Sequence, residues 1–249
     1  MSEQESELPN IKVYQPWSAP LLHFRLSDEQ IEDLLEITDL ALEDKNTKSY
    51  NDKLAGEIEG EWEIPDYEDL SEVLNLPTIS SQYFQVLASQ NLIEIEGENT
   101  TMSQHLALFA QNLDKSILIS AWFNDQKDDE YNPAHDHTGV LSGVLYLKIP
   151  EYLPSRKHDN ADGSIVFISN ECKTDGIMTN STLLLSPEVG DLFLFSSSLK
   201  HQVYPFRTAD KKGIRRSLSF NMGHQTLSHE DLEKLMQKKT QLGDKKING

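Results

Sequence analysis

The sequence has a single cysteine, few basic residues and no long apolar segment. One cysteine, Cys172, excludes an intramolecular disulfide framework and a zinc ribbon, and it is typical of a reducing compartment. Lys and Arg number 22 against 41 Asp and Glu, and the resulting net charge of −19 disfavours binding to nucleic acid or anionic membranes. No apolar run approaches the ~20 residues of a transmembrane helix, and the N-terminus lacks a signal-peptide pattern. We therefore expect a cytoplasmic protein without nucleic-acid or membrane partners.

The length of 249 residues and the apolar content of 37% predict one sizeable domain with additions at its N-terminus. We divide the chain by its composition and its turn signals. The four predicted segments are a mobile N-terminus at 1–10, a helical or irregular extension packed on the core at 11–115, a β-rich core at 116–224, and a C-terminal helix and tail at 225–249.

The first half has helical periodicity between irregular stretches. Ser27 and Gln30 form a capping-box pattern that predicts a helix over 28–42. The acidic stretch 43–77 is rich in turn-forming residues, and Leu54, Ile58, Trp62 and Ile64 are expected to anchor it against the main body. Further predicted elements are one or two edge strands in 11–24 and helices at 80–91 and 103–112.

The second half has short β-forming segments separated by turn residues, with no helical pattern between them. This arrangement predicts a mainly β protein with flanking helices, whose core is an antiparallel sandwich or barrel. The predicted strands are 116–124, 141–149, 164–168, 181–185, 191–196, 201–206 and 214–221.

Three of the eight histidines form a candidate metal site. His135 and His137 stand two residues apart before a predicted strand, so an extended backbone would direct both to one face and Asp136 to the other. His201 follows the apolar segment DLFLF. Imidazole is a ligand for iron, copper, zinc and nickel, and these three residues can cap one side of a metal ion. The other five histidines are expected to be structural or solvated.

The predicted strand at 214–221 alternates between two kinds of residue. If the polar face is buried, its arginine needs a polar ligand such as a dicarboxylate, because an unpaired buried guanidinium is costly. If that face is exposed, the segment is an ordinary edge strand. The polar face carries Arg215, Ser217, Ser219 and Asn221, and the opposite face carries Arg216, Leu218 and Phe220.

Five segments in this order resemble the double-stranded β-helix of iron(II)- and 2-oxoglutarate-dependent dioxygenases, a jelly-roll, cupin-like core. They are NPAHDH, SGVLYL, DGSIVF, LSPEVGDLFLFSSSLKHQVYP and RRSLSFN. The first two, together with LAGEIEGEW upstream, resemble more narrowly a branch of 2-oxoglutarate oxygenases found in bacteria and marine phages.

The resemblance implies an oxygenase, and specifically a hydroxylase, that uses Fe(II), O2 and 2-oxoglutarate as cosubstrate. It also implies roles for particular residues. The implied metal ligands are His135, His137 and His201; the implied 2-oxoglutarate contacts are Arg215, Ser217 and Tyr146; and Asn124 and Asn132 would line the site.

The chain departs from the family at one metal ligand. The superfamily usually supplies two histidines and a carboxylate, and His137 occupies the expected carboxylate position. Three interpretations stay open: a three-histidine site, which period-two geometry favours; coordination by Asp136 from a twisted strand end in place of one histidine; or a site that no longer binds iron.

Two other functions remain open at this point. One is a three-histidine cupin dioxygenase that does not use 2-oxoglutarate, and the other is a non-catalytic jelly-roll binding module. The sequence specifies neither the oligomeric state nor a choice among hydroxylation, demethylation, desaturation and halogenation. The partner is expected to be a small-molecule or peptide substrate, and the negative net charge favours a neutral or cationic one, such as a peptide or an amino acid.

Overall fold

A computed structural model describes the main body of the chain in three layers: helices, a seven-stranded sheet and a four-stranded sheet. The described residues are 12–14, 19–89, 116–154, 161–169 and 181–224. The predicted helices at 103–112 and in 225–249, the segment 1–10 and Cys172 lie outside them.

Three helices form the outer layer. The first, α1 (Asp28–Glu43), begins at the predicted capping box, in which the Ser27 side chain accepts from the Gln30 backbone and the Gln30 side chain accepts from the Ser27 backbone. α2 (Tyr67–Leu74) and α3 (Leu76–Ser89) are joined at a residue in the left-handed conformation, Asn75. Among the described residues, no helix is both long enough and apolar enough to cross a membrane.

Eleven strands make up the two sheets, and two of them lie in regions where no strand was predicted, β3 and β5. The bounds are β1 (Lys12–Tyr14), β2 (Leu21–Arg25), β3 (Glu61–Glu63), β4 (Ser116–Gln126), β5 (Asn132–His135), β6 (Leu141–Lys148), β7 (Ile165–Ile168), β8 (Thr182–Leu185), β9 (Asp191–Ser196), β10 (Lys200–Val203) and β11 (Arg215–His224).

The stretch 43–77, for which no strand or helix was predicted, contains β3 and α2, and α3 begins at its end. β3 is only three residues long and forms by pairing with β4, a contact distant in sequence. Asp66 caps α2 by accepting from the Glu68 backbone. Such short elements depend on tertiary contacts rather than on their own periodicity.

Both sheets are antiparallel throughout the described residues. The larger has the order β1-β2-β9-β6-β11-β4-β3 and the smaller β5-β10-β7-β8. The predicted fold class, a mainly β protein with flanking helices and a double-stranded β-helix core, is confirmed.

Two apolar clusters hold the layers together. One packs the helices on the outer face of the large sheet, and Leu34 of α1 and Leu218 of β11 are among its fully buried members. The other lies between the two sheets, where Val144 and Phe193 meet Phe167 of the small sheet. The space between the sheets is therefore an apolar core, in which buried polar groups stand out.

β11 occupies the centre of the large sheet, between β4 and β6, and its side chains alternate as predicted. Ser217 and Ser219 face the small sheet, whereas Leu218 and Phe220 belong to the cluster under the helices. The polar face of this strand is thus buried, and the edge-strand alternative is wrong.

We expect Gly143→Ala to destabilise the fold by about 1–3 kcal/mol, because overpacking a rigid core costs this much. Gly143 pairs with Phe220, and a Cβ at position 143 would stand 2.2 Å from Cζ of that ring. The free energy of unfolding in urea measures the cost. In a Phe220→Leu background the cost should fall, since the shorter side chain removes the clash; an equal cost in both backgrounds would contradict this packing.

Candidate metal centre

Three histidines converge between the sheets, where β5 and the loop after it lie beside β10. His135 ends β5, and His201 stands directly opposite it in β10. The ring centroids are 4.3 Å apart for His135 and His201, 4.8 Å for His137 and His201, and 5.0 Å for His135 and His137. One ligand nitrogen from each ring lies within 4.8 Å of the others. The cluster therefore has the composition of a metal-binding face.

The way in which His137 reaches this cluster differs from the prediction. β5 ends at His135, so His137 follows the strand and the two residues do not alternate along it. The loop is instead held by a hydrogen bond from the His137 backbone N–H to the carbonyl of Ser197, at 2.8 Å. Asp136 is not a member of the converging group.

Backbone carbonyls fix the tautomers of two of the rings. Nδ1 of His135 lies 2.7 Å from the carbonyl oxygen of Pro133, and Nδ1 of His201 lies 3.0 Å from that of Leu199. A carbonyl oxygen only accepts, so each Nδ1 carries the proton and each Nε2 carries a lone pair. Both rings thus present Nε2 as a metal ligand.

The third ring is oriented by a side-chain amide on β11. Nδ1 of His137 lies 2.8 Å from Oδ1 of Asn221. The hydroxyl of Ser142 donates to the same oxygen at 2.7 Å, and the Asn221 amide nitrogen donates to Ser120 at 2.9 Å. With the amide in this orientation, Nδ1 of His137 carries the proton and Nε2 carries the lone pair.

Burial favours the neutral form of two of the histidines, His201 and His135. It lowers the pKa of His201 well below its usual value, and the neighbouring His135 and His137 lower it further. Burial also lowers the pKa of His135, against opposing contributions from the Pro133 carbonyl and Asp136. Neutral imidazole is the form that binds metals, so the cluster needs no deprotonation at neutral pH.

Aromatic rings surround the cluster. Trp122 lies against His137 with ring centroids 5.4 Å apart, and Tyr50 stacks on Trp122 from the far side at 5.3 Å. Phe195 meets His201 edge-on at 4.9 Å. These rings form an apolar wall that limits the access of water to the histidines.

Arg215 is a buried cation in the same cavity. Its side chain is 1% exposed, and its terminal nitrogens donate to the carbonyl of Gly163 and to Oε1 of Gln126, both of which are neutral. Within the described residues its Nε has no hydrogen-bond partner, and neither does the hydroxyl of Tyr146, whose ring lies 5.6 Å from the guanidinium. Arg215 is thus a buried positive charge with no anionic partner among the residues that the structure describes.

The neighbouring arginine, Arg216, has a complete set of ionic and hydrogen-bond partners. Arg216 points to the opposite face, where its Nε and one terminal nitrogen each donate to the carboxylate of Asp125 at 2.6 Å. Its other terminal nitrogen donates to Asp39 and Thr38 of α1. Each guanidinium nitrogen of Arg216 therefore has a partner within the protein. Arg215 differs in having no such carboxylate partner among the described residues, so it is the arginine that can accept an anionic ligand.

The other residues predicted for the site also line this cavity. β4 contributes a row along one wall, from Trp122 beside His137 to Gln126 beside Arg215, with Asn124 between them. The predicted residues that line the cavity are His135, His137, His201, Arg215, Ser217, Tyr146, Asn124 and Asn132.

The other histidines stand apart from the cluster wherever the structure describes them. His23 of β2 bonds to Asp191 at 2.8 Å, which is the expected structural role. His224 ends β11, and His105, His158 and His229 lie outside the described residues.

The sequence reasoning missed Glu61, the first residue of β3. Its side chain is 1% exposed, and no donor within the described residues reaches either carboxyl oxygen. Burial, helped by the negative charge of Glu130, raises the pKa of Glu61 to about 8. The available signal was the alternation of Glu61 and Glu63 around Trp62, which is a strand pattern with acids on one face.

The fold and the cavity together define a class of protein: a jelly-roll in which three histidines that could hold one metal ion share a cavity with a buried arginine. Residues 120–221 match the sequence model of a family described as "Putative 2OG-Fe(II) oxygenase". The match covers the β core, about two fifths of the chain, and agrees with the expectation of an oxygenase that uses iron(II) and 2-oxoglutarate. No curated protein matches the chain significantly.

Several solved structures are similar to this chain at low sequence identity. They include a prolyl-4-hydroxylase from Pseudomonas putida (12% identity, 82% of this chain and 92% of that chain covered, TM-score 0.44). Another is HygX from Streptomyces hygroscopicus with nickel and 2-oxoglutarate bound (13% identity, 82% of this chain and 82% of that chain covered, TM-score 0.43). A third is a prolyl hydroxylase from Trichoplax adhaerens in complex with a hypoxia inducible factor peptide fragment (12% identity, 84% of this chain and 86% of that chain covered, TM-score 0.46). These values indicate nothing about the substrate of this chain.

We expect Glu61→Gln to become progressively more stable than the wild type as the pH rises from about 4.5 to about 8. In the unfolded chain this carboxyl ionises near pH 4.5, whereas in the folded protein it stays protonated up to about pH 8. The wild type alone therefore loses stability over this window, by at most about 1.4 kcal/mol per pH unit.

Urea unfolding at a series of pH values measures this difference. Glu59→Gln is the matched control, since Glu59 is exposed and ion-paired with Lys127 at 3.1 Å. The difference for Glu61→Gln should vanish below pH 4.5 and level off above pH 8. A difference that is independent of pH would show that the buried carboxyl has an ordinary pKa.

Proposed function

We propose that this protein is a hydroxylase that couples the decarboxylation of 2-oxoglutarate to the oxidation of a small-molecule or peptide substrate. The supporting observation is that three neutral histidines and an arginine without an anion line one buried cavity. The balanced reaction takes 2-oxoglutarate, O2 and a substrate C–H bond to succinate, CO2 and a C–OH group.

The histidines are the proposed metal ligands. His135, His137 and His201 hold iron(II) through their Nε2 atoms, since each Nδ1 is engaged with an oxygen. Imidazole suits Fe(II), and three ligands on one face leave the remaining positions for cosubstrate and oxygen. Bound iron and 2-oxoglutarate supply the activation of O2; the protein supplies orientation and the exclusion of water.

Arg215 is the proposed anchor for the distal carboxylate of 2-oxoglutarate. Its guanidinium offers the paired N–H groups that match a carboxylate, and the Tyr146 hydroxyl beside it offers a further donor. Ser217, two residues along the same strand face, is placed to add its hydroxyl. An anion here would also remove the cost of leaving a cation buried and unpaired.

Asn124 and Asn132 complete the proposed site as substrate-facing residues. Both line the cavity, Asn124 between its histidine and arginine ends and Asn132 on the strand that carries His135. Their amides can orient a substrate group toward the metal without competing for it.

Anaerobic titration with Fe(II) and then 2-oxoglutarate tests the proposal through the visible charge-transfer band of the chelate. The wild type should develop the band, and His201→Ala should lose it because one of three ligands is gone. His23→Ala, which removes a histidine outside the cluster, should keep it. A band of wild-type strength in His201→Ala would contradict the ligand assignment.

Arginine variants test the cosubstrate assignment in the same titration. Arg215→Ala should require about 100-fold more 2-oxoglutarate, in line with the loss of a buried charged partner. Arg215→Lys, which keeps the charge without the paired geometry, should fall between, and circular dichroism should verify that both variants fold. An unchanged requirement in a folded Arg215→Ala would contradict the assignment.

A three-histidine dioxygenase that does not use 2-oxoglutarate is a second candidate function. The observation that favours it is the ligand set itself, since the superfamily usually supplies a carboxylate where His137 stands. Iron binding without a charge-transfer band would support this candidate. A protein that binds no iron would instead be a jelly-roll binding module.

A further inference from the structure

A group of buried side-chain oxygens without hydrogen-bond partners among the described residues lies beside the cavity, and two of its side chains line it. Both carboxyl oxygens of Glu61, Oδ1 of Asn124 and Oδ1 of Asn132 have no hydrogen-bond partner within the described residues. Glu61 is 1% exposed and Asn124 is 6% exposed, so bulk water does not take the place of a partner. Native proteins rarely leave buried polar atoms unpaired, and a group of four points to a missing donor.

The strand register brings these side chains to one face. Glu61 stands directly opposite Asn124 in the β3–β4 pairing, and Asn124 faces the cavity. Trp62, next along the strand, points the other way and stacks on Phe123 at 5.3 Å. Glu61 therefore lies on the cavity side of the sheet, beside Asn124.

The third oxygen converges on the same point. A Cβ built on Gly56 would lie 3.2 Å from Oε1 of Glu61 and 3.5 Å from Oδ1 of Asn132. Gly56 belongs to the segment before β3, and Asn132 begins the strand that ends at His135. The oxygen group is thus adjacent to the histidine cluster on the wall of the cavity.

We propose that Glu61, Asn124 and Asn132 bind a positively charged nitrogen group of the substrate, a guanidinium or a primary ammonium. Such a group donates through every N–H and accepts nothing, which matches a set of four acceptors. That this cation belongs to the substrate rests on the proposed function, whereas the binding of a cation at these oxygens does not.

Charge distinguishes a cation from other donors. Burial keeps the pKa of Glu61 raised to about 8, so the carboxyl group stays protonated at neutral pH when no cation is bound. A bound cation would stabilise the ionised carboxylate, which rotation of an asparagine amide or a substrate hydroxyl or amide cannot do. Lys127 does not supply this charge, because it is bonded to Glu59.

A metal ion fits this oxygen group less well. Calcium takes six to eight oxygen ligands, usually including several carboxylates, whereas this group offers one carboxylate and two amides. An anionic substrate group would meet only acceptors and be repelled. A cationic group is also the kind that a chain with a net charge of −19 attracts.

Isothermal titration of the anaerobic protein loaded with Fe(II) and 2-oxoglutarate tests the proposal. The probes are butylguanidinium and butylammonium, compared with butylurea, which has the shape of the guanidinium without its charge. We expect at least one cation to bind about tenfold more tightly than butylurea. Equal affinity for all three probes would overturn the proposal.

Two variants locate the binding to this wall. Glu61→Gln should weaken cation binding about tenfold and leave butylurea unchanged, whereas Glu59→Gln, which alters an exposed acid two residues earlier, should change neither. Gly56→Ala should also weaken cation binding, because its methyl group would occupy the point on which two of the oxygens converge. Cation binding that survives both changes in folded protein would overturn the proposal.

Two further measurements separate this inference from the proposed function. The charge-transfer band should be the same in Glu61→Gln and wild type, and the cation titration should be repeated on metal-free protein. Selective cation binding in a protein that shows no band would support this inference while the proposed function fails. Displacement of butylguanidinium by CaCl2 at equal ionic strength, but not by NaCl, would overturn it in favour of a metal site.

Discussion

The alternation of side chains along β11 is the constraint on which the site depends. This strand runs between β4 and β6 at the centre of the large sheet, so both of its faces are buried. Two consecutive arginines consequently enter two different environments. Arg216 joins the sheet to α1 through Asp125 and Asp39, while Arg215 enters the cavity, where its partners are neutral. The same alternation brings Asn221 to His137.

The distribution of charge in the cavity follows from this arrangement. Imidazole ligands are uncharged, so three of them would leave a bound divalent ion with both of its charges, whereas a carboxylate ligand would cancel one. Arg215 adds a further positive charge to the same cavity. A dianion such as 2-oxoglutarate would otherwise be repelled by a chain with a net charge of −19. The replacement of the usual carboxylate by His137 and the uncompensated arginine therefore act in the same direction.

Local patterns in the sequence predict the long elements and the polar face of β11. The helix after Ser27 and the strands from β6 to β11 have clear periodicity or turn boundaries, and Arg215 and the three histidines could be named from them. β3 and β5 could not, because their sequences, EWE and NPAH, contain few β-forming residues and they form by pairing with strands distant in sequence. Glu61 was missed for the same reason: its burial comes from β4, not from its own neighbours.

The most direct test of this account is a crystal structure of the protein with Mn(II) and 2-oxoglutarate, grown without oxygen. The account predicts that Nε2 atoms of His135, His137 and His201 bind the metal, and that the distal carboxylate of 2-oxoglutarate pairs with Arg215. Coordination by Asp136 in place of a histidine, or a distal carboxylate bound away from Arg215, would contradict it.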